Sequence, residues 1–204
     1  RPPRSTLFPY TTLFRSSSFT FGQTISAFGI GGGFFGGTAN VGSNPVSLLD
    51  FSSNPGSYNP GVQAQVFTAF GGNNYAQVQP MIGAAMNGGI THIDLNPGNE
   101  YGATSLEING SSAVIATASF ISNSVSAAQG NADTFAAYCQ VTAAHETTEA
   151  ETGSHHQALI AEAQAAQKSN LTAEQLSSWY ETLHSGYEND ANKAESYASR
   201  MMLT

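Results

Sequence analysis

Glycine and proline limit what this chain can fold into, because they are distributed in two regimes that meet near Asn131. From Ser17 to Gly130 the sequence is rich in Gly and Asn and is interrupted by Pro45, Pro55, Pro60, Pro80 and Pro97. Proline removes a backbone donor and glycine carries the largest entropy cost on ordering, so both divide a chain into short elements. The apolar pieces between them are Thr24–Ile30, Val62–Phe70, Ile90–Leu95 and Ala113–Ile121. Bounded apolar runs of this length read as strands, and Asn-Pro-Gly at 54–56, 59–61 and 96–98 reads as turns. One helix is expected, between Tyr75 and Asn87, where Val78, Ile82, Ala85 and Met86 keep helical spacing. Pro80 is tolerable there only in a first turn.

After Asn131 glycine and proline nearly vanish, Ala and Glu rise, and ten of the 14 acidic residues follow. Asp133 can cap a helix running through Tyr138, Val141 and His145. Gly153 suits a left-handed position after its end, and Ser154 to Gln157 has the spacing of a capping box. A second helix is therefore expected over His155 to Lys168. Thr172 to Gln175, another capping box, opens a third, reaching about Arg200. Its apolar stripe is Leu176, Tyr180, Leu183, Tyr187, Ala191, Ala194, Ala198 and Met201, close to a 3.6-residue period. The expected fold class is α+β: a Gly/Asn-rich, mainly β portion over 17–130, followed by a three-helix segment over 131–204.

Arg1 to Ser16, RPPRSTLFPYTTLFRS, resembles the translation of a common sequencing-adapter strand without a mismatch. The resemblance implies that this segment is not native and is to be left out of fold reasoning. It also implies that the native start, with any signal peptide, is missing. The net charge of −8 counts Arg1, Arg4 and Arg15. Without them Lys168, Lys193 and Arg200 stand against 14 acids, a net of −11. Between Ser16 and Gln167 there is no Lys or Arg at all. Nucleic-acid binding needs clustered cations to displace counterions from phosphates, so nucleic acids and anionic membranes are excluded as partners. Charged residues make up 10% of the chain, against about 25% in ordinary globular proteins. A polar surface this poor in charge favours a secreted, cell-surface or particle-coat protein that works through a protein partner or self-association. Cys139, the single cysteine, allows no internal disulfide and reads as a small buried hydrophobe. Asn109 and Asn170 open glycosylation sequons.

Gly31-Gly-Gly33-Phe-Phe-Gly36 fits G-x-G-x-x-G, but the dinucleotide mechanism requires a helix to start there, and Thr38 to Pro45 is turn-like. A second pattern covers residues 25–117. Ile25 to Gly37 reads ISAFGIGGGFFGG, Ile82 to Asp94 reads IGAAMNGGITHID, and Tyr101-Gly102, Glu107-x-x-Gly110 and Val114-Ile-Ala-Thr117 follow in order. This resembles the opening of an aldo-keto reductase. The resemblance implies an active-site Asp at Asp94 and a proton donor at Tyr101. Ala118 stands where the family's catalytic Lys should follow Thr117, so the fragment it implies is catalytically incomplete.

His145-Glu-Thr-Thr-Glu149, Glu151, His155 and His156 form a third constellation. It departs from the H-E-x-x-H zinc motif in having Glu149 where the second imidazole belongs. With the second and third helices antiparallel about Ser169–Leu171, His156 comes near His184, and Glu181-x-x-His184 has a spacing used in carboxylate-bridged metal sites. A divalent metal such as zinc would then be held by His156, His184, Glu181 and Glu151. The leading expectation is a non-enzymatic structural or binding protein. A catalytically incomplete reductase-like fragment and a metal-binding helical module are the alternatives.

Overall fold

The computed structural model describes residues 45–95, 103–108 and 111–186. The adapter-like segment 1–16, the Gly-rich stretch 25–37, Tyr101, Asn109 and the end of the chain beyond Gly186 lie outside the described residues. The described residues are mainly helical. Seven helices, α1 (Leu48–Ser53), α2 (Pro60–Ala69), α3 (Tyr75–Asn87), α4 (Ala118–Ala127), α5 (Ala132–Thr152), α6 (His155–Lys168) and α7 (Ala173–Gly186), surround a small mixed sheet. Its strands are β1 (Val46–Ser47), β2 (His92–Asp94), β3 (Ala103–Ile108) and β4 (Ser111–Thr117), in the order β1-β2-β4-β3. Only β2 and β4 run parallel, with Asp94 beside Thr117. The other two pairings are antiparallel.

The expectation of a mainly β portion over 17–130 is therefore overturned: where that portion is described, its four α-helices hold more residues than its four strands. The clearest correction is Val62–Phe70, read as a strand. Asn59-Pro-Gly61 is a helix start here: the Asn59 side chain accepts from the Val62 amide at 2.9 Å, and Pro60 opens the first turn. A proline costs nothing there, because the first amides of a helix have no intrahelical partner. Val66, Ala69 and Phe70 are buried, with Val62 and Phe67 packed against the core; these positions follow helical spacing. Asn54-Pro-Gly56 likewise opens a short 3₁₀ turn, Pro55–Ser57, rather than linking strands. The run Ala113–Ile121 divides at Thr117, whose hydroxyl accepts from the Phe120 amide and starts α4. Ile90–Leu95 does contain a strand, β2.

The core lies between the sheet and α3, α4 and α5. Ile93, Val114 and Ala116 meet Val78, Ile82, Phe120, Phe135 and Cys139, all at or below 5% exposure. Cys139 is a buried free thiol, and burial pushes its ionisation up. Phe51 anchors an aromatic cluster with Tyr58, Phe67 and Tyr75. Pro80 lies inside α3, one turn beyond the position where the sequence tolerates it most easily. Helix α3 ends hard against α5. A Cβ built on Gly88 would stand 2.4 Å from Cys139 Cβ and 2.5 Å from the Ala136 carbonyl oxygen, so only glycine permits that approach.

The helices of the second half start where expected; the continuation of the third from Gly186 to about Arg200 lies outside the described residues. Helix α5 is capped by the Asn131 side chain, which accepts from the Thr134 amide at 2.9 Å, with Asp133 in the first turn instead of at the cap. Gly153 adopts φ 64° and donates to the Glu149 carbonyl, closing α5 with a left-handed residue. Ser154 then caps α6. Thr172 and Gln175 exchange side-chain-to-amide hydrogen bonds of 3.2 and 2.8 Å, the reciprocal capping box of α7. The expected α6–α7 hairpin does not form. Helix α6 folds back on α5, whereas α7 packs chiefly on α4. Tyr138 of α5 stacks on Trp179 at 5.3 Å and donates to the Gln175 carbonyl, and both interactions draw α7 across the bundle. Among the described residues, no helix is long and apolar enough to cross a membrane.

Candidate functional site

Hairpin geometry creates the one described cluster that joins imidazole, carboxylate and phenol. Gly153 reverses the chain, His145 stands eight residues before it on α5, and Glu162 stands nine after it on α6. Antiparallel closure sets them face to face, with His145 Nδ1 2.7 Å from Glu162 Oε2. The second oxygen of Glu162 accepts from the Tyr180 hydroxyl at 2.9 Å, so the cluster also engages α7. On its other edge the imidazole Nε2 lies 3.5 Å from Glu149 Oε2, one turn along α5. Glu146 is buried nearby on the same helix.

The cluster is sealed: His145 is 4% exposed, Glu162 7% and Tyr180 1%. Two opposing effects act on His145. Burial disfavours the imidazolium and is the largest single influence. Hydrogen bonds to Glu149 and Glu162, with the fields of Glu162 and Glu146, together outweigh it and hold the imidazole well above its ordinary range. Protonated, both ring nitrogens are donors, which matches a carboxylate on each edge. A buried pair of this kind adds little net stability against an apolar replacement. Removing one partner alone costs about 3–5 kcal/mol, because a buried charge is left uncompensated.

The chemistry open to this arrangement is internal. Tyr–Glu–His order resembles a proton-relay geometry, yet none of the three presents a free edge to solvent. A depression among the described residues lies elsewhere, an open concavity of about 510 Å³ lined by Thr68, Gly71, Gly72, Asn73 and Gln77. None of these residues can act as an acid, base or charged ligand, and Gln77 Oε1 is engaged by the Asn73 amide. Asp94 ends β2 and is fully buried beside the carboxyl end of β4. Its proposed companion, Tyr101, lies outside the described residues.

Three members of the metal set expected from the sequence lie on outer faces. Glu151, His156 and Glu181 are exposed, and the side chain of His184 lies outside the described residues. Glu181 is met by the Ser177 hydroxyl at 3.4 Å. Among the described residues no group of three His, Cys, Asp or Glu side chains is arranged to hold a metal ion. Sequence reasoning singled out His145, Glu146 and Glu149 as a motif but missed Glu162 and Tyr180, which the fold adds. The missing signal was present: once the turn lies at Gly153–Ser154, positions 145 and 162 stand equally far from it, eight residues on either side.

Comparison with protein-family models, with curated proteins and with solved structures gives no match for this chain.

Proposed function

We propose that the chain is a non-enzymatic structural or binding protein of the surface, secreted or coat type, acting through a protein partner or self-association. The observation that carries this reading is the closure of the His145–Glu162–Tyr180 cluster. The groups best suited to acid–base chemistry stand where no substrate can meet them. They serve the junction of three helices. The open concavity offers amides, hydroxyls and backbone, the surface of a binding module. Low charge supports association through polar and apolar contacts, which salt screens little. Sedimentation velocity at rising protein concentration tests this. The expected result is concentration-dependent assembly that persists at about 1 M salt, where the Debye length is ~3 Å. A monomer at every concentration would overturn self-association as the mode.

A second reading, the catalytically incomplete reductase-like fragment, is favoured by Asp94. It is buried at the carboxyl end of β2 beside parallel β4, the end of a parallel pair at which α/β proteins place their sites. Antiparallel β3 on the far edge of β4 is not how a parallel barrel opens. Ala118 stands at N1 of α4, where the resemblance requires a lysine to depress the tyrosine's ionisation. No oxidation of reduced nicotinamide is expected across an aldehyde panel. Turnover that disappears in Tyr101→Phe would show the site to be complete.

A further inference from the structure

We propose that His145, Glu162 and Tyr180 form a proton-operated latch, which holds α7 on the α5–α6 hairpin while the imidazole is protonated and releases it when the proton leaves. Each of the three helices contributes one link: His145 from α5, Glu162 from α6 and Tyr180 from α7. Glu162 is the pivot, because one of its oxygens holds the imidazole and the other holds the phenol. The backbones of α6 and α7 come together at few points, and this carboxylate is a buried polar tie between them.

The charges around the imidazole explain why its proton controls the junction. On α5 it faces Glu146 and Glu149, on α6 Glu162, and through Glu162 the Tyr180 phenol of α7. Helices α3 and α4 and strand β4 also adjoin α5 and carry no carboxylate, imidazole or cation, while β3 carries Glu107, another acid. No Lys or Arg occurs anywhere from Ser16 to Gln167. Among the described residues the imidazolium is thus the cation of the cluster. Its loss leaves Glu146, Glu149 and Glu162 together in a poorly solvated space, where like charges repel strongly. Relief comes from letting water in on the α7 side, where the Tyr180 hydroxyl meets Glu162, while the Tyr138–Gln175 and Gln175–Thr134 bonds keep the start of α7 on α5. Because folding raises the imidazole's proton affinity, the stabilisation is fully present below the unfolded value of about 6.5 and is lost as pH rises through the folded value.

The chain carries its own reporter. Trp179, its single tryptophan, adjoins Tyr180 and stacks on Tyr138 at 1% exposure. Tryptophan emission and far-UV circular dichroism of the full chain are followed together from about pH 5.5 to 9, below the ordinary range of tyrosine. The expected result is a reversible red shift of emission on the alkaline side of about 6.5, with helical dichroism retained. Tyr180→Phe removes a hydrogen bond to a charged acceptor. It should lower the closed-to-open ratio tenfold or more, so that emission is red-shifted already at low pH. His145→Gln should give pH-independent emission over the same range. A pH profile unchanged in His145→Gln, or Tyr180→Phe emission identical to the parent's, overturns the latch. So does loss of dichroism together with emission, which is global unfolding. Should His145→Gln fail to fold, Tyr180→Phe and the histidine ring resonances decide. A His145 midpoint at or below about 6.5 overturns the proposal.

Discussion

At the scale of single residues, two glycines in and just beyond one helix show how differently the same side chain can be used. Gly88 ends α3 with an ordinary φ of −80°, so backbone freedom is not what it supplies. It supplies absence, since any Cβ would overlap Cys139 Cβ and the Ala136 carbonyl of α5. Gly83 lies within α3 with nothing inside 4 Å of its would-be Cβ. Gly88→Ala is expected to destabilise by about 1–3 kcal/mol through overpacking. Gly83→Ala is expected to stabilise by about 0.5–1 kcal/mol through helix propensity. Urea titration of both variants checks the pair, and equal effects would mean that α3 does not seat on α5 in this way. His145 is a residue of the same kind, in that its sequence context gave a motif and its neighbours gave the chemistry. H-E-x-x-E names three groups on one helix face, but the closest contact to the imidazole is Glu162, 17 positions away.

At the scale of elements, the Asn-Pro-Gly tripeptides carry the lesson. Between apolar runs, Asn, Pro and Gly mark chain reversals, and the reading as turns follows from that. The same residues in that order also make a helix start, with Asn as the capping acceptor and Pro in the first turn, as at Asn59-Pro60. Val62-Gln-Ala-Gln-Val66 alternates with period two, while Val62, Val66, Ala69 and Phe70 keep helical spacing, so local pattern alone supports both. Burial decided for the helix. Asn59→Ala should therefore cost about 1 kcal/mol in thermal or urea unfolding, while Asn59→Asp should cost little. A neutral Asn59→Ala would argue for a turn without a cap. Helices α5, α6 and α7 were legible because their stop and start signals, Gly153, Ser154 and Thr172, have few alternative uses in a sequence otherwise free of breakers.

At the scale of the whole molecule, the distribution of charge matters more than its total. The described residues contain one Lys or Arg, Lys168, at the end of α6. Among the described residues the acidic cluster therefore finds its counter-charge in a histidine, and the pH dependence proposed for the junction of α5, α6 and α7 needs both this scarcity of cations and the contact of His145 with Glu162. The adapter-like residues Arg1–Ser16 distort this balance, adding three of the chain's six basic residues. Deleting them should leave folding intact, with melting temperatures of full-length and shortened chains agreeing within about 2 °C. That is less than the shift expected for ~1 kcal/mol in a small domain. A larger fall would show that the segment contributes to the native structure.

The sequence by itself determined α5, α6 and the start of α7, the left-handed residue between α5 and α6, the α3 helix, the β2 strand and the scarcity of Lys and Arg. Each of these rests on local chemistry: a capping side chain, a positive φ, a periodic stripe or a count of cations. Tertiary structure alone decided that α2 is a helix and that α7 crosses to α4 rather than pairing with α6. It also decided that His145 meets Glu162 and Tyr180, while Glu151, His156 and Glu181 face outward. The physical reason is common to all of these. Where a short apolar run or a polar side chain comes to rest depends on which distant surface offers burial or a counter-charge, and that surface exists only once the chain has closed.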